Sequence, residues 1–189
     1  MKTNFDRSMA EVFAHEGGYS DDPLDPGGET NFGISKRSYP NENIKGMTRE
    51  RAATIYRRDF WNAVKGDDLP AGLDLVAFDA AVNSGPSRGA KWLQSALGVP
   101  ADGKIGPKTI AAAKAANVPA VIDRVRNARL AWLKTLPTWG RYGKGWTARV
   151  ESIRAEAKDM AKKPAEPVPT TPATNPIAAF FAWLGRIFA

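Results

Sequence analysis

The stretch AGLDLVAFDAAVNSG, residues 71–85, is the most apolar helical segment of the chain, and it limits what the rest can do. Leu73, Val76, Ala77, Ala80 and Ala81 share one face, so this helix should run through the core with other helices laid against it. Candidates surround it. DRSMAEVFAHEGG reads as a helix with Asp6 or Ser8 as cap, with Met9, Val12, Phe13 and Glu16 on one face and Gly17-Gly18 as its stop. MTRERAATIYRRDFWNAV is helical, with Thr48 as N-cap and Ala52, Ile55, Tyr56 and Phe60 at helical spacing. Further helices are expected over 88–97, 107–116, 119–135 and 146–162, each with glycine or proline at one end. Between the first two, TNFGIS (30–35) is short and β-tolerant, as for one strand of a small hairpin. The expected class is mainly α (α+β), with a small β-hairpin.

The 189 residues suffice for one compact domain with a small appendage. There is no cysteine, which excludes thiol nucleophiles and thiolate metal sites, and one histidine, His15, which excludes a histidine-rich zinc site. Neither a metal nor a cofactor is expected. Charge is unevenly divided: residues 1–85 carry 10 basic and 14 acidic side chains, and residues 86–163 carry 16 and 5. A basic half beside an acidic one suits attraction to an anionic polymer, although a solubilising surface explains it as well. The amino terminus lacks a long apolar run and a small-residue cleavage site, so no secretory signal is read there. After Lys163, PAEPVPTTPATNP (164–176) is a proline-rich linker leading to IAAFFAWLGRIFA (177–189). As a helix those last residues would span roughly 20 Å, short of the roughly 30 Å hydrocarbon core, so packing or membrane-interface contact is expected of this flexible tail.

No lysine or arginine lies between Arg7 and Lys36, and the stretch HEGGYSDDPLDPGGETNFGIS (15–35) crowds acids into a loop. A calcium loop is one reading, but Pro23 takes the third position of the run from Asp21, where an oxygen ligand is needed. Glu16, at a helix exit with acidic neighbours, sits where the protonated form is favoured, which suits a general acid. With no thiol or metal site, an acid of this kind points to glycoside cleavage, in which a second group stabilises the oxocarbenium-like transition state or activates water. Asp25 can face Glu16 across a groove, and the Thr30 hydroxyl can position water.

These residues resemble the signature of the glycoside hydrolase family 108 muramidases: Glu16, Gly17-Gly18-Tyr19, Asp22-Pro23, Asp25-Pro26-Gly27-Gly28, Thr30 and Gly33-Ile34. The resemblance implies a lysozyme-like helical domain that cuts the β-1,4 bond from N-acetylmuramic acid to N-acetylglucosamine in peptidoglycan, with Glu16 as catalytic acid. The order Glu, Asp, Thr also resembles phage-type lysozymes, with Asp25 and Thr30 in the other two places; the last gap is one residue shorter here, which brings in Asn31 as a substitute. The run AVNSGPSRGAKWLQSALGVPADGKIGPKTIAAA (81–113) is similar to the peptidoglycan-binding region that follows in this family, with Leu93-Gln94, Asp102-Gly103, Gly106-Pro107 and Thr109 as marks, and YGKGWTARV (142–150) to its closing segment. The Asp102-Gly103 turn and the Gly106-Pro107 helix start also have a purely structural explanation.

The resulting expectation is a catalytic part over 1–85, a helical peptidoglycan-binding part over 86–163 packed on it, a linker over 164–176 and an apolar helix over 177–189. Tyr19, Tyr56 and Trp61 can stack on sugar rings or serve as core, and Asn83 can orient a sugar amide or cap its helix. Trp92, Trp132, Trp139 and Trp146 are expected to pack, and His15 to be structural. The partner is peptidoglycan, not nucleic acid, and the protein a monomer, made in the bacterial cytoplasm and acting in the periplasm or at the wall after release. Rival readings are a lytic transglycosylase yielding 1,6-anhydro products, a chitinase and a non-catalytic wall-binding module.

Overall fold

The apolar segment becomes α3 (Leu73–Ser84), and every side chain from Leu73 to Ala81 is buried. The computed structural model describes residues 2–16, 18–21 and 28–162; Asp25, the linker and the apolar tail lie outside the described residues. Around α3 pack α1 (Lys2–His15), α4 (Pro86–Leu97), α6 (Val118–Leu133) and α7 (Trp139–Lys162). The α4 contact is the closest. A Cβ added at Gly89 would stand 2.9 Å from the Ala81 nitrogen and 3.1 Å from the Ala77 oxygen, so the two helices touch through backbone. One apolar cluster runs from Phe5 on α1 through Leu75 and Phe78 to Leu93, Ile122 and Met160, joining both halves of the chain. A smaller one, at the α6–α7 end, gathers Leu130, Leu133 and Val150 under Trp139 and Trp146.

Local chemistry explains the element ends. Thr48 caps α2 (Arg49–Tyr56) by accepting from the Arg51 N–H at 3.1 Å. Asp74, in the first turn of α3, accepts from the N–H groups of Gly72 and Leu75 and from Asn4 on α1, each at 2.7 Å. Burial pushes its pKa up to about 6 against those three bonds. The short α5 (Pro107–Ala115) is tied back to α4 by Gln94. Its amide donates to Asp102 at 2.7 Å and to the Lys104 carbonyl at 3.0 Å, and it accepts from the Gly103 N–H at 2.9 Å. The marks at Gln94, Asp102, Gly103 and Thr109 thus share one hydrogen-bond network, in which Thr109 is the remaining acceptor.

The hairpin pairs β1 (Thr30–Asn31) with β2 (Ile34–Ser35), Thr30 opposite Ser35 and Asn31 opposite Ile34. Phe32 and Gly33 turn the chain at φ of 49° and 75°, as a tight two-residue turn requires. Ser20 extends this sheet by exchanging two 2.8 Å backbone bonds with Thr30.

The class is as expected, mainly α with one small antiparallel hairpin. Several boundaries are not. Helix α1 begins at Lys2, so Asp6 and Ser8 are interior residues, and Ser8 is fully buried. Helix α7 begins at Trp139 rather than Trp146. Helix α2 passes at Arg57–Trp61 into a π-helical turn, closed by the Asn62 N–H on the Arg57 carbonyl at 2.9 Å. The wider turn brings Trp61 round toward the core, where its ring meets Phe5 at 5.3 Å and Phe78 at 5.4 Å edge to face.

Candidate active site

Glu16 closes the last turn of α1, its N–H donating to the Val12 carbonyl at 3.1 Å. The hairpin turn presses against its side chain. A Cβ added at Gly33 would lie 2.5 Å from Glu16 Oε2 and clash as well with the Tyr56 hydroxyl, which donates to the Phe32 carbonyl at 3.0 Å. From α7, Arg149 Nη1 donates to Glu16 Oε1 at 3.0 Å, while its Nε donates to Asp79 Oδ1 at 2.8 Å. Asp79, at the centre of α3, binds Arg129 of α6 through its other oxygen. Arg129 Nη2 then donates to Asn83 Oδ1 at 3.2 Å.

The network runs from the core outward: Asp79 is 0% exposed and Arg129 3%, whereas Arg149 at 12% and Glu16 at 18% reach the surface. Burial alone would raise the Asp79 pKa, but Arg129 and Arg149 outweigh it and hold the carboxyl below its usual range. Burial likewise works against the Arg149 charge, and Asp79 and Glu16 overcome it. The Tyr56 hydroxyl is kept neutral by burial first and by the Glu16 charge second.

Glu16, Arg149, Tyr56 and Asn83 line a cleft of about 320 Å³, whose walls are completed by Gly33, Ile34, Ser38, Tyr39, Phe60 and Val82. A guanidinium only donates, so Asn83 turns its oxygen to Arg129 and keeps its NH₂ for another acceptor. Tyr39 donates to Asp59 at 2.9 Å, and burial together with that carboxylate pushes its pKa up to about 12.

Of the residues expected from the sequence, Glu16, Tyr56 and Asn83 meet in this cleft. Tyr19 is exposed and donates to Glu29 at 3.1 Å, and Thr30 donates to the Gly28 carbonyl at 3.0 Å; neither lines the cleft. Two expectations are corrected. Trp61 is 0% exposed in the core, so its ring is closed to a sugar, and Asn31 is buried with its amide tied to the Ile44 carbonyl at 3.1 Å. Tyr56 offers the cleft its edge and hydroxyl rather than a stacking face, because it is 2% exposed. The expectation that positive charge is kept from Glu16 is also overturned: the arm lacks it, but Arg149 supplies it from 133 residues away. Arg149, Tyr39 and Phe60 were missed. One signal was available, since an aspartate inside the most apolar helix needs buried donors, which Asn4 and backbone N–H groups supply to Asp74 and which arginines supply to Asp79. Among the described residues no group of three or more acids and histidine is arranged to hold a metal.

Gly33→Ala is expected to hit stability and activity together. A side chain at φ 75° costs about 1–2 kcal/mol, and the methyl group must displace Glu16 or Tyr56. Thermal unfolding and a wall-digestion assay on the one variant check it; normal activity in a folded variant would show that the Glu16 position is not set by this turn.

Residues 9–85 match the family model described as Glycosyl hydrolase 108, and residues 88–151 that described as Predicted Peptidoglycan domain. A solved structure, that of Brucella abortus SagA, is 43% identical to the chain, covers 87% of it and 99% of its own length, and superposes with a TM-score of 0.79. No curated protein matches the chain. With the helical fold, the carboxyl-bearing cleft and both family models in agreement, this chain belongs to the glycosyl hydrolase 108 family, as a lysozyme-like glycoside hydrolase acting on peptidoglycan.

Proposed function

We propose that the enzyme is a muramidase, which hydrolyses the β-1,4 bond between N-acetylmuramic acid and N-acetylglucosamine with Glu16 as general acid. The supporting observation is the placement of that carboxyl at the edge of a polar cleft, one oxygen held by Arg149 and the other against the Gly33 turn. On this reading Glu16 gives its proton to the glycosidic oxygen as the bond to the anomeric carbon breaks, and water attacks that carbon. Arg149 fixes the carboxyl's orientation and answers the negative charge that Glu16 acquires when the proton leaves. Asp25 assists the positive charge at the anomeric carbon or the incoming water, whereas Thr30, tied to the Gly28 carbonyl outside the cleft, is left without a part in the reaction. Asn83 donates its NH₂ to an acceptor oxygen of the sugar, and Tyr39 and Phe60 form the apolar wall.

The site of action on this reading is the cell wall, reached after synthesis in the bacterial cytoplasm. Digestion of purified peptidoglycan followed by mass spectrometry tests the chemistry. Fragments with reducing N-acetylmuramic acid ends are expected. Ends in 1,6-anhydro form would mean a lytic transglycosylase, reducing N-acetylglucosamine ends would mean the other bond, and wall binding without fragments would mean a non-catalytic module.

A further inference from the structure

Among the described residues the exposed large hydrophobic side chains are Tyr19 and Tyr142, at 44% and 45%. Neither lines the cleft, and Tyr19 is tied to Glu29, which leaves Tyr142. It lies on α7 seven residues before Arg149. Seven residues of α-helix turn about 700°, some 20° short of two full turns, and rise roughly 10.5 Å. Tyr142 therefore stands on the same stripe of α7 as Arg149, whose guanidinium reaches Glu16, and about the length of a disaccharide away from it. Trp146 lies between them along the helix.

The ring is backed by structure. Tyr142 lies 5.7 Å from Trp146 at an interplanar angle of 33°, and Trp146 in turn lies 6.2 Å from Trp139 at 45°. Both tryptophans pack on the small apolar cluster at the α6–α7 end, so the tyrosine ring rests against a side chain that is itself packed. Arg141, also exposed, places its guanidinium 5.2 Å from the tyrosine ring centroid, and Lys144 is exposed on the same turn. A half-exposed aromatic with a guanidinium over its ring and a lysine two residues along suits a polymer with apolar sugar faces and anionic substituents better than it suits an apolar protein surface.

We propose that Tyr142, backed by Trp146, is an outer saccharide platform for the glycan strand of peptidoglycan as it continues out of the Glu16 cleft along α7, with Arg141 engaging anionic groups beside it. This rests on the muramidase reading for the direction of the strand. The test measures binding of the full-length chain carrying Glu16→Gln to purified sacculi, with and without Tyr142→Ala. The alanine variant is expected to bind about five-fold more weakly, with Tyr142→Trp restoring the affinity. In the Glu16-containing enzyme, Tyr142→Ala is expected to raise KM on polymeric peptidoglycan by a similar factor, with the smaller effect on kcat. Because Tyr142 is exposed, an unchanged melting temperature serves as the control for folding. Equal sacculus binding and equal KM would overturn the proposal, as would a variant that keeps its sacculus binding but loses binding to anionic lipid vesicles. Should the parent enzyme release no glycan fragments, the muramidase reading fails by itself, and the binding comparison still decides the role of Tyr142.

Discussion

Replacing Glu16 with glutamine is expected to lower peptidoglycan hydrolysis by about a hundredfold to ten-thousandfold while leaving attachment to the wall in place. Glutamine has the size of glutamate and an oxygen that can still accept from Arg149, so the 3.0 Å contact and the packing against the Gly33 turn survive. What disappears is a transferable proton. The loss should therefore fall on kcat, because the group acts on the leaving oxygen in the transition state, and little on sacculus binding. A turbidity assay with purified walls, run beside a sedimentation assay for binding, separates the two quantities. Digestion at the parent rate would remove Glu16 from the chemistry and with it the proposed mechanism.

Asp79→Ala should give the largest loss of stability. The carboxylate is fully enclosed and answers two guanidinium groups, those of Arg129 and Arg149. Removing it leaves the Arg129 cation buried without its carboxylate and Arg149 with Glu16 alone, and breaking a buried pair in this way typically costs about 3–5 kcal/mol. For a chain of this size the melting temperature should fall by on the order of 10 °C. Asp79→Asn, which keeps the shape and one acceptor oxygen, should lose less. The activity of the alanine variant should fall as well, because Arg149 loses the partner that holds its guanidinium against Glu16. Calorimetry and a wall-digestion assay check both effects; a melting temperature within a degree or two of the parent would show that the network carries no net stability.

The same carboxylate sets a pH dependence. Its folded-state pKa lies below the unfolded value of about 3.9, so its contribution is complete above that pH and is lost as the pH falls further, through the folded value. Parent protein should therefore lose stability on the acid side below about pH 4 more steeply than Asp79→Asn. Equal acid limbs in the two proteins would place the source of acid unfolding elsewhere.

Wherever periodicity or a cap is local, the amino-acid order was sufficient. The burial of the face carrying Leu73, Val76, Ala77, Ala80 and Ala81, the Thr48 cap and the position of Glu16 at a helix end all follow from residues within a turn or two of one another, whereas TNFGIS, expected as one strand, holds both strands of the hairpin and its turn. Trp139 and Trp146 pack as expected, on Val150 of their own helix and on Leu130 and Leu133 of α6. The tertiary structure decided what depended on distant partners. Arg149 meets Glu16 across 133 positions, Arg129 meets Asp79 across 50, and neither charge has a partner in its own segment that would announce the pairing. The burial of Trp61 depends on a π-helical turn, and that of Asn31 on a backbone carbonyl of the following loop. Local propensity is a sum over neighbouring residues, whereas a buried charge is tolerated only where another element brings its opposite, so the chain's order determines the helices and the packing of the helices determines the charge around Glu16.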